Sequence, residues 1–506
     1  MTLQPILIAG QWRAANATTS FHAENPATGE RFSEEYPVSS WADCDAALNA
    51  AVEAASILRT VPTEQLAKFL TRYAERIDAR KTELAETAHA ETALAKAPRL
   101  ADVEIPRTTN QLRQAAAAAL DGAWALPTID AKLNIRSVPA AIGPVLAIGP
   151  NNFPFAYNGV AGGDFAAAIA AGNPVIAKAH PSHPRTSQLM AEEALAAVTE
   201  TGLPPATVQM IYRMSPEDGL RMAADKRLGA IGFTGSRAAG MKLKAAADAV
   251  GKPVYLEMSS INPVLLLPGA LAERGEKLVE EFGASCLMAS GQFCTSPGLV
   301  ILFAGADAEK FIAGVKAKLE ATAPATLLSS GVAQSLASGV KTLQAAGAKL
   351  ITGGSALAGN KFANTVLRVG GEQFLSSPEK LQTEMFGNAS LVVVVRDAAQ
   401  VGEILSHLEG NLTGSIYSDT NGADDALYEK LSPSLRHSVG RLLNDKMPTG
   451  VAVTAAMNHG GPFPATGHPG FTAVGFPASM RRFAMLQCYD NVRPNRLPPA
   501  LQDKIV

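Results

Sequence analysis

The sequence is poor in charged residues, aromatic residues and cysteines. Charged residues make up 18% and aromatic residues 6% of the 506 residues, whereas hydrophobic residues make up 47%. This apolar composition excludes a disordered chain. The 44 basic and 46 acidic side chains nearly cancel to a net charge of −2. Neither a nucleic acid nor a membrane surface is therefore expected as a partner.

Cysteines are too few and too scattered for a disulfide scaffold, since the chain has four (Cys44, Cys286, Cys294 and Cys488). Free thiols in a reducing compartment fit this pattern better. Long hydrophobic runs are missing as well: Leu391 to Val395 is far shorter than the ~20 residues that cross a bilayer. The first residues lack the basic and apolar segments of a secretory signal. We therefore expect a soluble, cytoplasmic protein of about three domains.

The first part of the chain is predicted to be mainly helical. From Trp41 to about Leu120 the sequence is rich in alanine and places apolar residues at helical spacing. Short strands are predicted on either side of this region, around the glycine turn between Ile6 and Trp12 and between Trp124 and Ser137.

From Ala140 onward, short apolar runs that end in Gly or Pro alternate with helical stretches. The predicted strands are Val145–Gly149, Pro174–Lys178, Val208–Tyr212, Leu228–Phe233 and Pro253–Glu257. The predicted helices are Gly163–Ala171, Arg185–Thr201, Glu217–Ala224 and Arg237–Val250. This alternation indicates a parallel sheet in a doubly wound α/β domain.

The alternation resumes after Pro263 and predicts a second α/β domain. Its predicted elements are strand Val264–Leu267, a helix to about Ser290, strand Leu299–Phe303, helix Ala308–Leu319, strand Leu391–Val395 and helix Ala398–Leu408. Residues Met457 to Gly475 are crowded with Gly, Pro and His, which predicts an ordered loop.

Three side chains with useful chemistry follow or end these apolar runs. Cys294 lies between small, loop-forming residues, although a cysteine is more often simply a small buried hydrophobe. Glu257 ends a predicted parallel strand, the place where doubly wound folds bind ligands. Asn152 follows another strand, where turn formation beside proline is the simpler explanation. No H-E-x-x-H or paired C-x-x-C motif is present, so no metal site is predicted.

A possible phosphate site lies in Gly235-Ser-Arg-Ala-Ala-Gly240, which follows a strand and opens a helix. Its backbone N–H groups are suited to a pyrophosphate. It does not match G-x-G-x-x-G and is a weak dinucleotide fingerprint by itself.

Taken together, these features resemble the aldehyde dehydrogenase superfamily over essentially the whole chain. The matching segments, in family order, are Asn152-Phe-Pro, Lys178, Phe233-Thr-Gly-Ser236, Leu256-Glu-Met-Ser-Ser, Gly291-Gln-Phe-Cys294 and Glu384-Met-Phe-Gly387. The sequence is most similar to the branch of NADP-dependent and α-ketoglutaric semialdehyde (2,5-dioxopentanoate) dehydrogenases. That likeness depends on Ala161-Gly-Gly-Asp164, His180-Pro-Ser-His-Pro184, Gly291-Gln-Phe-Cys-Thr, His459-Gly-Gly-Pro-Phe-Pro-Ala-Thr466, Arg482-Phe and Cys488-Tyr489.

The resemblance implies three catalytic residues. Cys294 would be the nucleophile, Asn152 an oxyanion-hole donor and Glu257 the base that activates water to hydrolyse the thioester. The presence of Glu257 favours hydrolysis of the thioester to a free acid over transfer of the acyl group to coenzyme A.

The resemblance also implies a cofactor site formed by Lys178, Ser182, Arg213, Gly235, Ser236, Glu384 and Phe386. Many NAD-preferring relatives have a glutamate three residues after the lysine, but here that position is Pro181. Since this negative charge is absent and Arg213 lies beyond the next strand, NADP is expected, with NAD also permitted.

The expected substrate pocket consists of Phe155, Tyr157, Phe293, His459 and Phe471. An anionic semialdehyde needs a cationic or multi-donor receptor. The expected tunnel segments, 155–160 and 457–471, contain no Lys or Arg and offer only His459 and His468. Apolar aliphatic or aromatic aldehydes are therefore an open alternative. A catalytically silent family member and a Cys–His hydrolase are two more remote alternatives.

The family architecture implies a cofactor domain (1–122 and 143–257), a catalytic domain (258–455) and a bridging β element (123–142 and 484–506). Residues 456–483 are expected to line the substrate tunnel as an ordered loop. A homodimer or homotetramer is expected.

Overall fold

Two seven-stranded sheets and one three-stranded sheet organise the protein in the computed structural model, which describes residues 3–502. The strands are β1 (Ile6–Ile8), β2 (Gln11–Arg13), β3 (Ser20–Glu24), β4 (Arg31–Pro37), β5 (Thr128–Asp130), β6 (Ile135–Ala141), β7 (Val145–Ile148), β8 (Val175–Lys178), β9 (Val208–Ile211), β10 (Ala230–Thr234), β11 (Val254–Glu257), β12 (Val264–Leu266), β13 (Leu299–Phe303), β14 (Lys349–Thr352), β15 (Ala356–Leu357), β16 (Lys361–Phe362), β17 (Thr365–Gly370), β18 (Ala389–Val395), β19 (Asn411–Tyr417), β20 (Val439–Asn444) and β21 (Ala484–Asp490).

Helices cover the sheets and are α1 (Trp41–Leu58), α2 (Thr63–Ala79), α3 (Lys81–Thr92), α4 (Ile105–Asp121), α5 (Gly163–Ala170), α6 (Pro184–Thr201), α7 (Pro216–Ala223), α8 (Arg237–Asp248), α9 (Pro268–Leu287), α10 (Ala306–Ala321), α11 (Ser330–Ala345), α12 (Gly371–Ser376), α13 (Pro378–Leu381), α14 (Ala398–Ser406) and α15 (Asp425–Ser438). A π-helical segment, Lys96–Glu104, precedes α4. Within residues 3–502, no helix is both long and apolar enough to cross a membrane.

The first sheet has the order β11-β10-β7-β8-β9-β1-β2. Strands β7 to β11 are parallel, and β1 pairs antiparallel with both β9 and β2. The chain starts the parallel part at β7, adds β8 and β9 on one side and then returns to add β10 and β11 on the other. The direction of strand addition therefore changes between β7 and β10, and crevices for ligands form at the carboxyl ends of strands at such a point.

The second sheet has the order β14-β17-β18-β13-β12-β19-β20 and is parallel except for β14. Its apolar strands are buried on both faces, as parallel strands covered by helices require. The predicted α/β fold with two parallel-sheet domains is confirmed. The strands and helices predicted from Ala140 to Phe303 match the observed ones within a few residues.

The third sheet is antiparallel and has the order β21-β6-β5, so it joins residues 128–141 to residues 484–490. Several large apolar side chains around it are exposed, including Leu486 at 70% and Leu133 at 63%. Residues 1–2 and 503–506, at the outer ends of the predicted domains, lie outside the described part of the chain.

Candidate active site

Cys294 is presented by a tight turn that follows α9. Ala289, Ser290 and Gly291 have φ values of 47°, 56° and 68°, so three successive residues are left-handed. A Cβ on Gly291 would lie 2.1 Å from the carbonyl oxygen of Gly387. Glycine is therefore required at this position, because the cysteine loop packs directly on the backbone of a second loop.

Asn262 fixes the other side of the cysteine loop. Its Nδ2 donates hydrogen bonds to the carbonyl oxygens of Cys294 and Ser296, both at 2.9 Å. Asn411, at the start of β19, in turn accepts hydrogen bonds from the backbone N–H groups of Ile261 and Asn262. Sequence reasoning missed both asparagines, although the polar segment before β12 follows directly after Glu257.

His459 lies between the predicted nucleophile and the predicted base. Its Nε2 is 3.5 Å from Sγ of Cys294 and 2.8 Å from Oε1 of Glu257. His459 and Glu257 are 2% and 3% exposed, so water screens this pair little. The 2.8 Å contact places a proton of Nε2 on the carboxylate side, so Glu257 is the member of this pair that can accept the thiol proton. The sequence predicted His459 only as a pocket residue and offered no sign of this contact.

The resting thiol needs such a base. Burial and the negative charge of Glu257 raise the pKa of Cys294 well above its usual value, and the charge of Arg107 lowers it only in part. Cys294 is consequently protonated at neutral pH, and its reactivity depends on transfer of that proton.

Asn152 lies next to the same loop. Its Nδ2 donates a hydrogen bond to the carbonyl oxygen of Gln292 at 2.9 Å, and the residue is 5% exposed. A side-chain amide has two N–H groups, so one remains for an oxyanion at Cys294.

A cleft of about 1070 Å³ brings most of the predicted site together. It runs between the carboxyl ends of the first sheet and the amino ends of the second. The predicted residues that line it are Asn152, Lys178, Gly235, Ser236, Glu257, Cys294, Glu384 and Phe386. Its size and length suit a dinucleotide that ends at Cys294.

The N-terminus of α8 opens into this cleft. Ser236 caps the helix by accepting a hydrogen bond from the backbone N–H of Ala239 at 3.4 Å. A Cβ on Gly235 would lie 2.8 Å from the ring of Phe233, which keeps a side chain away from the approach to the helix. Free N–H groups at such an end favour a phosphate.

Lys178 supplies an unpaired positive charge to the cleft. Burial and the nearby charge of Arg213 lower its pKa to about 8, and it makes no ion pair with any residue among 3–502. Arg213 is exposed, and neither it nor Ser182 is among the lining residues. Ser182 donates its backbone N–H to Nδ1 of His180, which does line the cleft. Because the charge of Lys178 is buried and makes no ion pair with residues 3–502, an anion bound beside it would stabilise that charge.

Glu384 faces the same cleft from the second domain. Burial raises its pKa to about 7, partly offset by hydrogen bonds from Ser259 and Ser260. A carboxylate in this position accepts hydrogen bonds from sugar hydroxyls.

The aromatic residues divide into two groups. Phe293 meets Phe153 edge to face at 5.3 Å, and Phe153 in turn meets Tyr157 at 5.2 Å. The expected pocket position of Phe155 is wrong: this ring is fully buried in the core of the first domain, and Phe153 lies against Phe293 in its place.

Phe471 belongs to the second aromatic group. Its ring packs against Tyr255 at 5.2 Å beside a small cavity that Glu257 and His459 also line. Phe471 and His459 therefore line the same small cavity.

A half-buried thiol thus lies in a cleft between the two α/β domains. The model of the aldehyde dehydrogenase family matches residues 12–441. The chain belongs to the aldehyde dehydrogenase family and acts on aldehydes.

Relatives of similar length include two α-ketoglutaric semialdehyde dehydrogenases. Alpha-ketoglutaric semialdehyde dehydrogenase 2 of Azospirillum brasilense is 38% identical, over 99% of this chain and 97% of the relative. The enzyme of Acinetobacter baylyi is 36% identical, over 98% and 95%. Among solved structures, an aldehyde dehydrogenase from Pseudomonas syringae in complex with NAD⁺ and octanal has a TM-score of 0.83 at 22% identity, covering 97% of both chains. The likeness to this last structure shows the fold alone.

Proposed function

We propose that the protein oxidises 2,5-dioxopentanoate to 2-oxoglutarate with NADP as the oxidant. The observation that carries the catalytic part is the contact of His459 with both Cys294 and Glu257 at the end of the cleft. The substrate is supported by the two semialdehyde dehydrogenases to which nearly the whole chain is similar.

The reaction begins with removal of the thiol proton. Glu257 accepts the proton of Cys294, and the Nε2–H of His459 donates a hydrogen bond to that carboxylate at 2.8 Å. The thiolate attacks the aldehyde carbon and forms a tetrahedral oxyanion. The free N–H of Asn152 and the backbone N–H of Cys294 stabilise this charge.

Bound NADP would accept the hydride of the aldehyde carbon, which leaves a thioester on Cys294. After releasing the first proton to solvent, Glu257 takes a proton from water, and the hydroxide attacks the thioester carbonyl. The C–S bond breaks and Cys294 leaves as the thiol after taking that proton back from Glu257. The buried Oε2 of Glu257 has no hydrogen-bond partner in the described part of the chain, so one acceptor stays available for that water.

The cleft fits a phosphorylated dinucleotide. The α8 N-terminus with Ser236 would hold the pyrophosphate and Glu384 the nicotinamide ribose, with Phe386 beside the nicotinamide ring. Lys178 and Arg213 would hold the adenosine ribose and its 2′-phosphate. Position 181 is a proline, so no carboxylate there repels that phosphate. Ser182 would act indirectly, because its backbone N–H donates a hydrogen bond to Nδ1 of His180.

A second candidate is an NADP-dependent dehydrogenase of apolar aldehydes. The edge-to-face cluster of Phe153, Tyr157 and Phe293 favours it, because aromatic walls accept aliphatic and aromatic chains.

The deciding experiment measures kcat/KM for semialdehyde acids, aliphatic aldehydes and aromatic aldehydes with NAD and with NADP. The proposal expects 2,5-dioxopentanoate with NADP to rank first. Turnover of esters or thioesters in the absence of nicotinamide, with no aldehyde oxidation, would instead indicate a Cys–His hydrolase.

We further propose a homo-oligomer that forms through the sheet of β5, β6 and β21. Its exposed Leu133 and Leu486 support this assignment. The proposed domains remain 1–122 with 143–257 for the cofactor, 258–455 for catalysis, and 123–142 with 484–506 for bridging. Light scattering of wild-type protein and Leu486→Lys tests the oligomer, since the variant should dissociate.

A further inference from the structure

Two arginines near the catalytic cysteine have no acidic partner. Arg107 lies on α4 and Arg441 on β20, and both are half-buried. Neither guanidinium forms an ion pair with any residue among 3–502, in contrast to Arg99, which pairs with Glu104, and Arg482, which pairs with Asp164 at 2.6 Å. A partly buried charge without a counter-ion is costly, so this pair calls for an explanation.

The two arginines flank one loop. Arg107 donates to the carbonyl oxygen of Val451 at 2.6 Å, and Arg441 donates to those of Pro448 and Gly450 at 3.0 and 3.1 Å. These carbonyls fix the guanidinium groups but do not neutralise them. The Nε of Arg441 is buried and has no hydrogen-bond partner within residues 3–502, and burial lowers the pKa of this arginine.

Arg107 is linked to the reacting thiol through two side chains. Its Nη2 donates to the hydroxyl of Tyr157 at 3.2 Å, and the Tyr157 ring lies 5.8 Å from that of His459. His459 in turn contacts Cys294. None of Arg107, Tyr157 and Arg441 lines the cofactor cleft, so a ligand of these groups would not overlap with the cofactor.

We propose that Arg107 and Arg441 form the receptor for a carboxylate at the end of the substrate remote from the aldehyde. The planar guanidinium of Arg107 suits a bidentate contact with that carboxylate, and the rings of Phe153 and Tyr157 enclose the intervening carbon chain. Residues 155–160 and 457–471 contain no Lys or Arg. In this proposal the positive charge that binds the carboxylate comes instead from Arg107 on α4 and Arg441 on β20. The inference rests on the proposed function, since it assigns the acidic end of the proposed substrate.

The test compares succinic semialdehyde with butanal, which share four carbons and differ in the carboxylate. We define the acid preference as kcat/KM for the first divided by kcat/KM for the second, at saturating NADP. Arg107→Met should lower the acid preference about 10- to 100-fold, the value of a charge-assisted hydrogen-bonded pair. The loss should fall mainly on KM, because the contact is made equally before and during reaction.

Arg441→Met should lower the acid preference as well. Arg113→Met is the matched control, because Arg113 lies on the same helix but pairs at the surface with Asp78. Arg107→Gln keeps a donor for the Val451 carbonyl and serves as a second variant if Arg107→Met fails to fold in a thermal melt.

An unchanged acid preference in both the Arg107 and the Arg441 variants would overturn the receptor. If the wild-type protein oxidises both aldehydes without preference, the proposed acidic substrate fails while aldehyde oxidation stands. If it oxidises neither of these aldehydes nor 2,5-dioxopentanoate, the proposed catalysis itself fails, so the three results are distinguishable.

Discussion

The two approaches to Cys294 are built in different ways. The cofactor approach is an open cleft of about 1070 Å³, formed where strands end and a helix begins. The proposed receptor for the substrate carboxylate consists instead of side chains from separate elements, namely Phe153, Tyr157, Arg107 and Arg441. Strand ends and a helix N-terminus thus form the cleft that the fold already favours, whereas side chains from separate elements would provide selectivity.

The strongest way to separate the two approaches is Cys294→Ala. This change removes the sulfur at which they meet and should abolish aldehyde oxidation, at least about 10⁴-fold in kcat. NADP binding, measured by calorimetry, should persist, because the cleft keeps its phosphate and ribose ligands. Turnover in this variant would contradict the assignment of the nucleophile.

The second largest effect is expected at the base. Since His459 touches both partners, His459→Asn should slow the NADPH burst and steady turnover alike, by about 10²- to 10⁴-fold. Glu257→Gln should slow steady turnover more than the burst, because water activation follows hydride transfer. Rapid-mixing absorbance distinguishes these patterns.

His468→Asn is the control for this pair, since that ring packs on Tyr255 at 5.3 Å. It should behave as wild type. Equal losses of burst and steady turnover in Glu257→Gln would argue against its role in thioester hydrolysis.

The sequence indicated the cofactor approach far better than the other one. Gly235, Ser236 and Glu257 were singled out because each follows or ends an apolar run, and local sequence reports such positions, whereas Lys178 was implied by the family resemblance. Arg107 lies inside an alanine-rich helix and looks like any surface arginine there. Its role depends on Tyr157 and Val451, which helix packing alone brings close.

Other cases also show that local sequence does not report which side chains meet in the fold. Phe153 and Phe155 are two residues apart in one loop, and sequence cannot say which ring enters the core. His459 lies 165 residues after Cys294, and only the folded path of the loop 456–483 brings them to 3.5 Å. Elements between residues 330 and 390, including α11 and β17, were likewise not predicted, because their apolar runs are short and interrupted.

A smaller effect is expected at the cofactor end. Arg213→Gln should weaken NADP about tenfold and leave NAD nearly unaffected, since only NADP carries the 2′-phosphate. Titration of both nucleotides by fluorescence measures this ratio. Equal weakening of NAD and NADP would show that Arg213 does not contact the phosphate.

The smallest effect is a pH dependence. Lys178 has a pKa of about 8, so it is charged below that value and loses its charge above it. NADP binding favours the charged form, and its affinity should therefore fall as pH rises through about 8. In Lys178→Met this fall in NADP affinity with rising pH should disappear. A pH-independent Kd between 7 and 9 in the wild type would exclude Lys178 as a phosphate ligand.

The close contact of Gly291 with Gly387 has a consequence for how the turn before Cys294 and the loop after Glu384 affect each other. The turn that carries the nucleophile and the loop that carries Glu384 share a backbone-to-backbone contact with no side chain between them to absorb movement. Ordering of one loop by a ribose is consequently transmitted to the other. Amide hydrogens near residue 291 should exchange more slowly once a nucleotide is present, before any aldehyde arrives.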